Sequence, residues 1–351
     1  MEKKITFQQI ADELGVSKGL VSLAMRNKYG VSEDMRSKIV LKAIEMGYCF
    51  KQDPQKKIRN VTLLVKNMGI LNEEFWRECI LGIESECSAR NMVFNIVGWM
   101  SLKDGNDVTM SLLNEKSQGI IVLNQCQSEI VEKIMMLHIP LVFVDMINPL
   151  SIPADQVMAN NFAAGMQAVG YLLEKGHRKI ILAGNIEYSF SFLQRYYGCV
   201  KAVKRAQRRG EEAEYFAVID CEKPHLVDDV YQNDESDLVN DARLEEVLAA
   251  NAGYTAIVCF NDSILRHAAN ILKKLSVRVP EDLSVVSIDN VRFSAEQGVT
   301  SVDIPKYELG VQAVRMLNER LESGRISSAT LELNTVLIER TSVKEIKHEK
   351  D

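Results

Sequence analysis

The sequence predicts an α/β protein: a small all-α helix-turn-helix headpiece joined to a two-lobed body with parallel sheets. Three observations lead there. The first fifty residues hold apolar positions at helical spacing, and from Val61 onward short apolar runs alternate with helical stretches. That alternation runs through twice at similar length, which argues for two parallel sheets, each covered on both faces. The charge is divided as well. Residues 1–59 carry a balance of +5 and the remainder −11, within a net −6 over 351 residues.

The headpiece rests on Thr6 to Asn27, TFQQIADELGVSKGLVSLAMRN. Thr6 is placed to cap a first helix whose apolar face is Phe7, Ile10, Ala11 and Leu14, and Gly15 is placed to end it. Ser17 caps a second helix. Its inner face is Val21, Ala24 and Met25; its outer face is Lys18, Gly19, Ser22, Leu23 and Arg26. Two helices around a glycine turn, small and basic on the outside, match a DNA-binding helix-turn-helix and also an ordinary helical hairpin. Ser32 opens a third helix that runs to about Met46 and is closed by Gly47. The polar, basic CFKQDPQKKIRN at 49–60 reads as a linker.

In the body, strands are expected at 61–67, 92–99, 119–123 and 140–145, with helices between them at 73–90, 108–115 and 129–137. A second set follows, with strands at 179–184, 214–219, 255–260 and 283–289 and helices at 161–175, 192–209, 238–250 and 264–275. The predicted organisation is a headpiece over 1–48, a linker over 49–60, a body over 61–342 and a frayed, charged tail over 343–351. The first lobe is expected at about 61–159 and 292–322, the second at about 160–291 and 323–342. The acidic, aperiodic stretch 220–237 reads as a surface loop. In open parallel sheets, ligands sit beyond the carboxyl ends of the strands, so two such lobes place a ligand in the cleft between them.

Composition narrows the function classes. An apolar content of 46% is normal for a globular protein with a sizeable core. No run of about 18 apolar residues is present, so no membrane span is expected. The first residues, MEKKITFQ, hold no apolar run, so no signal peptide is expected either. The seven cysteines are scattered, with no CxxC pair, which fits a reducing cytoplasm. A basic head suits nucleic acid, because phosphate neutralisation supplies much of the affinity. There is no Walker loop, no GxSxG and no HExxH, and the five histidines are isolated. Neither catalysis nor a cofactor or metal site is expected. His177 reads as a structural hydrogen-bonding residue.

The motifs in series resemble the lactose-repressor-type (LacI/GalR) family of transcription regulators over almost the whole chain. IADELGVSKGLVSLAMRN is similar to the family's V-A-x-x-A-G-V-S-x-x-T-V-S-R-V-L-N, and VSEDMRSKIVLKAIEMGY to its third helix. GHRKIILAG (176–184), FND (260–262), VPEDLSVVSIDN (279–290) and LIERT (337–341) follow in the family's order. The resemblance implies a periplasmic-binding-protein-like body whose two lobes are joined by three crossovers. It also implies a homodimer on double-stranded operator DNA, controlled as a repressor by a small effector, for which a sugar or sugar derivative is expected.

Carried over residue by residue, the resemblance places DNA contacts at Thr6, Ser17, Lys18, Gly19, Ser22, Leu23 and Arg26. The family commonly has Arg where Leu23 stands, so a guanine-reading fork is replaced by an apolar contact, for instance to a thymine methyl. In the linker, the leucine that wedges into the minor groove falls on Lys57, with Ile58 the nearest apolar residue. Effector contacts fall on Trp76, Asp145, Arg195, Asn261 and Asp289. Asn160-Asn161 stands where the family often has Asp-Asn. A competing reading, a sugar-binding transport component, shares the body but needs a signal peptide and has no use for a basic headpiece.

Overall fold

The computed structural model describes residues 5–26, 28–48, 59–102, 104–124, 126–145, 154–218, 238–250 and 253–347. Three short helices come first: α1 (Phe7–Leu14), α2 (Lys18–Met25) and α3 (Glu33–Glu45). Their apolar faces meet in a small core of Ile10, Ala11, Val21, Ala24, Ile39 and Ala43. Each start is capped as the residue types require. The side-chain oxygens of Thr6, Ser17 and Ser32 accept from backbone N–H groups of the first turn. Gly15 closes α1 in the left-handed conformation, at φ 65°.

The chain then builds β1 (Arg59–Val65), α4 (Glu74–Ala89), β2 (Met92–Gly98), α5 (Gly105–Asn114), β3 (Gly119–Leu123), α6 (Ser128–Met135), β4 (Leu141–Val144) and β5 (Asp155–Ala159). A second series follows: α7 (Asn161–Glu174), β6 (Lys179–Ala183), α8 (Phe190–Arg208), β7 (Glu214–Val218), α9 (Asp241–Ala250), β8 (Ala256–Cys259), α10 (Asp262–Lys274), β9 (Ser284–Asp289), α11 (Arg292–Glu296) and β10 (Thr300–Asp303). The last elements are α12 (Lys306–Ser323), β11 (Thr330–Leu333) and β12 (Val336–Ile338). They form two six-stranded sheets, ordered β11-β5-β4-β3-β1-β2 and β12-β10-β9-β8-β6-β7. The first is parallel throughout; the second is parallel except for β12, which runs against β10. The central strands β3, β4, β8 and β9 are buried along their whole length, as strands covered on both faces must be.

The expected lobe boundaries need correction. Residues 292–303 belong to the second lobe, because β10 pairs in parallel with β9 from Thr300↔Val286 to Asp303↔Asp289. Residues 330–333 belong to the first, because β11 pairs with β5 from Thr330↔Gln156 to Leu333↔Ala159. The chain therefore passes between lobes at about 160, 304–305 and 334–335. Asp155 anchors the returning segment. It is fully buried and takes two hydrogen bonds from Arg320, one from Arg325 and one from the Ala329 N–H, at 2.9–3.0 Å. Burial works against its charge, yet these donors and the arginine charges hold its carboxyl below the usual value.

The tail is also more ordered than expected as far as it is described. Lys344 N–H donates to Ser284 Oγ at 3.1 Å and Ile346 N–H to Lys175 O at 2.8 Å. His177 is buried, with its ring nitrogens 2.8 Å from Thr255 Oγ1 and 3.1 Å from Lys344 O, a structural role. The acidic stretch 220–237 and most of the linker, Lys57 and Ile58 included, lie outside the described residues.

Each lobe contains one helix pair that crosses on reciprocal glycines. In the first, a Cβ on Gly82 would overlap Tyr307 O, and one on Gly310 would overlap Cys79 O, so α4 and α12 touch backbone to backbone. In the second, Gly165 meets Arg195 O and Gly198 meets Phe162 O, joining α7 to α8. Such crossings leave little freedom for sliding within a lobe.

Candidate functional sites: the headpiece face and the interlobe cleft

On the headpiece, Lys18, Gly19, Leu23 and Arg26 are exposed and Ser22 is half-buried. Leu23 keeps 39% of its surface in water, an apolar side chain standing out from α2. Thr6 and Ser17 are exposed at helix starts, where backbone N–H groups and the helix dipole favour a phosphate. The orientation of α2 is set from behind. Arg36 of α3 is 6% exposed and donates to Ala24 O at 3.2 Å and Lys28 O at 2.9 Å, placing a positive charge at the carboxyl end of α2. Tyr29, just past that end, is fully exposed. Sequence periodicity gave no sign of Tyr29, since loop residues carry no period.

The second site lies where the carboxyl ends of both sheets face one another. A cavity of about 520 Å³ opens there. Trp76 from α4, Asp145 after β4, Arg195 from α8, Asn261 before α10 and Asp289 at the end of β9 all line it. Three of its strand-end residues hold positive φ without being glycine: Asn124 at 63°, Asp145 at 49° and Asp289 at 110°. Asp and Asn tolerate this conformation best, and here it falls at the strand ends that line the cavity.

Arg195 and Asp289 form the buried centre. Arg195, 3% exposed, donates from Nε to Asn161 Oδ1 at 2.8 Å and from Nη1 to Phe260 O. Its Nη2 lies 3.0 Å from Asp289 Oδ1, at ion-pair distance but outside hydrogen-bond alignment, and among the described residues that oxygen has no hydrogen-bond donor. Asn161 thus orients Arg195, while Asn160 caps α7 by accepting from Ala163 N–H at 2.9 Å. Asn261 likewise spends its Oδ1 on the Ile264 N–H at 2.8 Å, so its amide nitrogen is what it can offer a ligand. Trp76 is both core and cavity wall. It is 8% exposed and meets Phe75 edge to face at 4.7 Å.

Among the described residues, contacts already cross the cleft. Ser191 Oγ of the second lobe donates to Asp145 Oδ1 of the first at 2.9 Å, and Arg266 Nη2 lies 3.8 Å from Glu74 Oε2. Arg266 also stacks over Phe293 at 4.0 Å. Sequence reasoning missed Glu74, Phe75, Ser191 and Arg266, which occupy ordinary helix positions; only the fold turns them toward the cavity.

Burial pushes the Asp289 carboxyl up to about 7; Arg195 and Lys306 oppose the rise, while Asp262 and Asp145 add to it. The folded value exceeds the unfolded one, so this group stabilises the fold fully at low pH, and that contribution is lost as pH rises through about 7. The melting temperature of the wild type, measured against Asp289→Asn, is expected to fall between about pH 4 and 7. Parallel pH profiles for the two proteins would show that the carboxyl is not held protonated.

Residues 169–343 match the family described as periplasmic binding protein-like domain. The chain is 25% identical over 349 residues to the HTH-type transcriptional repressor PurR of Vibrio atlanticus (strain LGP32), covering 97% of this chain and 98% of that one. It is 27% identical over 350 residues to PurR of Pectobacterium carotovorum subsp. carotovorum (strain PC1), covering 96% of each. Among solved structures, the transcriptional regulator CelR in complex with cellobiose aligns over 97% of this chain and all of its own, at 22% identity and TM-score 0.65. The lac repressor dimer bound to operator and the anti-inducer ONPF aligns over the same shares, at 19% identity and TM-score 0.65. The similarity to named transcriptional repressors runs over headpiece and two-lobed body together. In fold the chain is similar to these regulators from end to end. Among the described residues, no helix is long and apolar enough to cross a membrane.

Proposed function

We propose that the protein is a cytoplasmic repressor that binds a pseudo-palindromic operator as a homodimer and is controlled by a hydroxyl-rich effector, a sugar or sugar derivative, held in the interlobe cleft. No catalytic step is assigned to the cleft. The observation that carries the reading is the convergence of side chains from both lobes on one cavity. A ligand held by both lobes favours one lobe orientation, and that orientation sets the spacing of two headpieces, so a differential affinity becomes a change in operator binding. Carboxylates such as Asp145 and Asp289 suit vicinal hydroxyls, which donate in pairs. Cellobiose in CelR is a ligand of this kind.

The test has two arms. A thermal-shift screen against sugars, sugar phosphates and nucleosides is expected to find a compound that raises the melting temperature, as binding to the native state must. Gel shifts over genomic fragments are expected to reveal specific complexes that weaken steeply with salt. If no fragment outcompetes random DNA at moderate salt, with or without the compound, the operator reading is wrong.

Thr6, Ser17, Lys18, Gly19, Ser22, Leu23, Arg26 and Lys57 are proposed to face the DNA. Leu23→Ala is expected to cost about 1–3 kcal/mol at one operator position while sparing others. Lys18→Ala is expected to weaken all sites alike, as loss of a phosphate contact does. Binding measured across single-base operator variants separates the two patterns. Unchanged preference in Leu23→Ala shows that the side chain reads no base.

A further inference from the structure

Lys306, the first residue of α12, is 3% exposed. Its ammonium donates to Asp289 O at 2.6 Å, Ile304 O at 3.1 Å and Asp303 Oδ1 at 3.3 Å, and it lies 3.4 Å from Asn290 O. An ammonium has three donors and is expensive to bury unless they are used. Two of the carbonyls it meets, Asp289 O and Asn290 O, belong to a segment of unusual backbone shape. Asp289 and Asn290 are consecutive non-glycine residues at φ 110° and 53°. Asn290 is fixed separately, by Arg340 Nη2 donating to its Oδ1 at 2.6 Å and by its N–H donating to Ser301 Oγ at 3.0 Å. The Asp289 carbonyl receives Lys306.

The position of Lys306 in the chain matters as much as its bonds. It sits where the chain leaves β10 in the second lobe and enters α12 in the first. Helix α12 is locked to α4 at Gly82 and Gly310, and the nearest first-lobe acid, Glu78 Oε2 on α4, is 4.0 Å from the ammonium. The first turn of α4 carries Glu74 and Trp76 into the same cavity as Asp289.

We infer that Lys306 is a positioning residue: it holds the Asp289 end of β9 and joins it rigidly to the α12–α4 pair, so that the lobe orientation and the Asp289 position change together. The inference rests on the cleft being the effector site. Its test needs no effector. Spin labels at Leu81→Cys on α4 and Lys204→Cys on α8, both exposed, report the distance between lobes by pulsed electron resonance in the ligand-free full-length chain. One narrow distance is expected with Lys306 present. Lys306→Met, which keeps the length and removes charge and donors, is expected to lose it to a broad distribution, and Lys306→Arg to recover the narrow one. A purely structural role would lower the melting temperature of Lys306→Met and leave the distance narrow. If Lys306→Met does not fold, Lys306→Gln, which keeps two donors and drops the charge, is read instead. A narrow, unshifted distance in whichever neutral variant folds overturns the inference, as does a broad one in Lys306→Arg. A cleft that binds nothing in the thermal-shift screen defeats the effector reading and leaves this result standing.

Discussion

Replacing Arg195 by alanine is expected to destabilise the protein by about 3–5 kcal/mol and to abolish its response to the effector. The guanidinium is buried, donates to Asn161 Oδ1 and Phe260 O, and lies at ion-pair distance from the Asp289 carboxyl group. Its removal leaves two buried acceptors without their donor and the Asp289 carboxyl group without its counter-charge. Asp289→Asn tests the same site more gently, because the shape is kept and a group that resists ionisation is made neutral. That variant is expected to keep operator binding and lose the effector response. Urea unfolding and gel shifts with and without the effector measure both effects. If both variants respond like wild type, the effector binds elsewhere.

A comparable loss is expected at the reciprocal glycines. Gly82→Val and Gly165→Val each place a branched side chain against a backbone carbonyl, Tyr307 O and Arg195 O respectively. Overpacking a core costs about 1–3 kcal/mol when side chains can shift, and backbone shifts less readily, so losses of about 3 kcal/mol or more are expected. Gly165→Val should also displace Arg195 and so blunt the effector response. Gly170, on the same helix as Gly165, is the control. Nothing lies within 4 Å of its added Cβ, and Gly170→Ala is expected to gain about 0.5–1 kcal/mol. Chemical denaturation orders the three. A stable Gly82→Val would mean that the helices can separate at little cost.

What was legible in the sequence was whatever is decided locally. Capping residues at Thr6, Ser17 and Ser32 mark three helix starts, and runs such as GIIVL and LSVVSID mark buried strands, because caps and apolar periods need no distant partner. The family resemblance led to five cavity-lining residues because flanking motifs set their register. Lobe membership was misread for β10 and β11, since each is four residues long and its sheet is chosen by pairing rather than by pattern. The roles of Asn161 and Lys306 were hidden for the same reason. Each acts through a residue 34 or 17 positions away.

The threefold passage between lobes also orders events during synthesis. The second lobe takes nearly all of its strands from one unbroken stretch, β6 to β10, and only the short edge strand β12 comes later. The first lobe begins earlier and finishes later. Its central strand β3 meets α12 through Gly119 packed on Leu317, and β5 has no outer neighbour until β11 at 330–333 emerges. A nascent chain of some 300 residues therefore carries an almost complete second lobe beside a first lobe with an apolar face and a strand edge uncovered. Domains fold as units while the ribosome delivers them, and such exposed edges are where aggregation starts. Termination shortly before α12 should yield an insoluble product, whereas residues 160–303, expressed alone, hold most of what one lobe needs to fold.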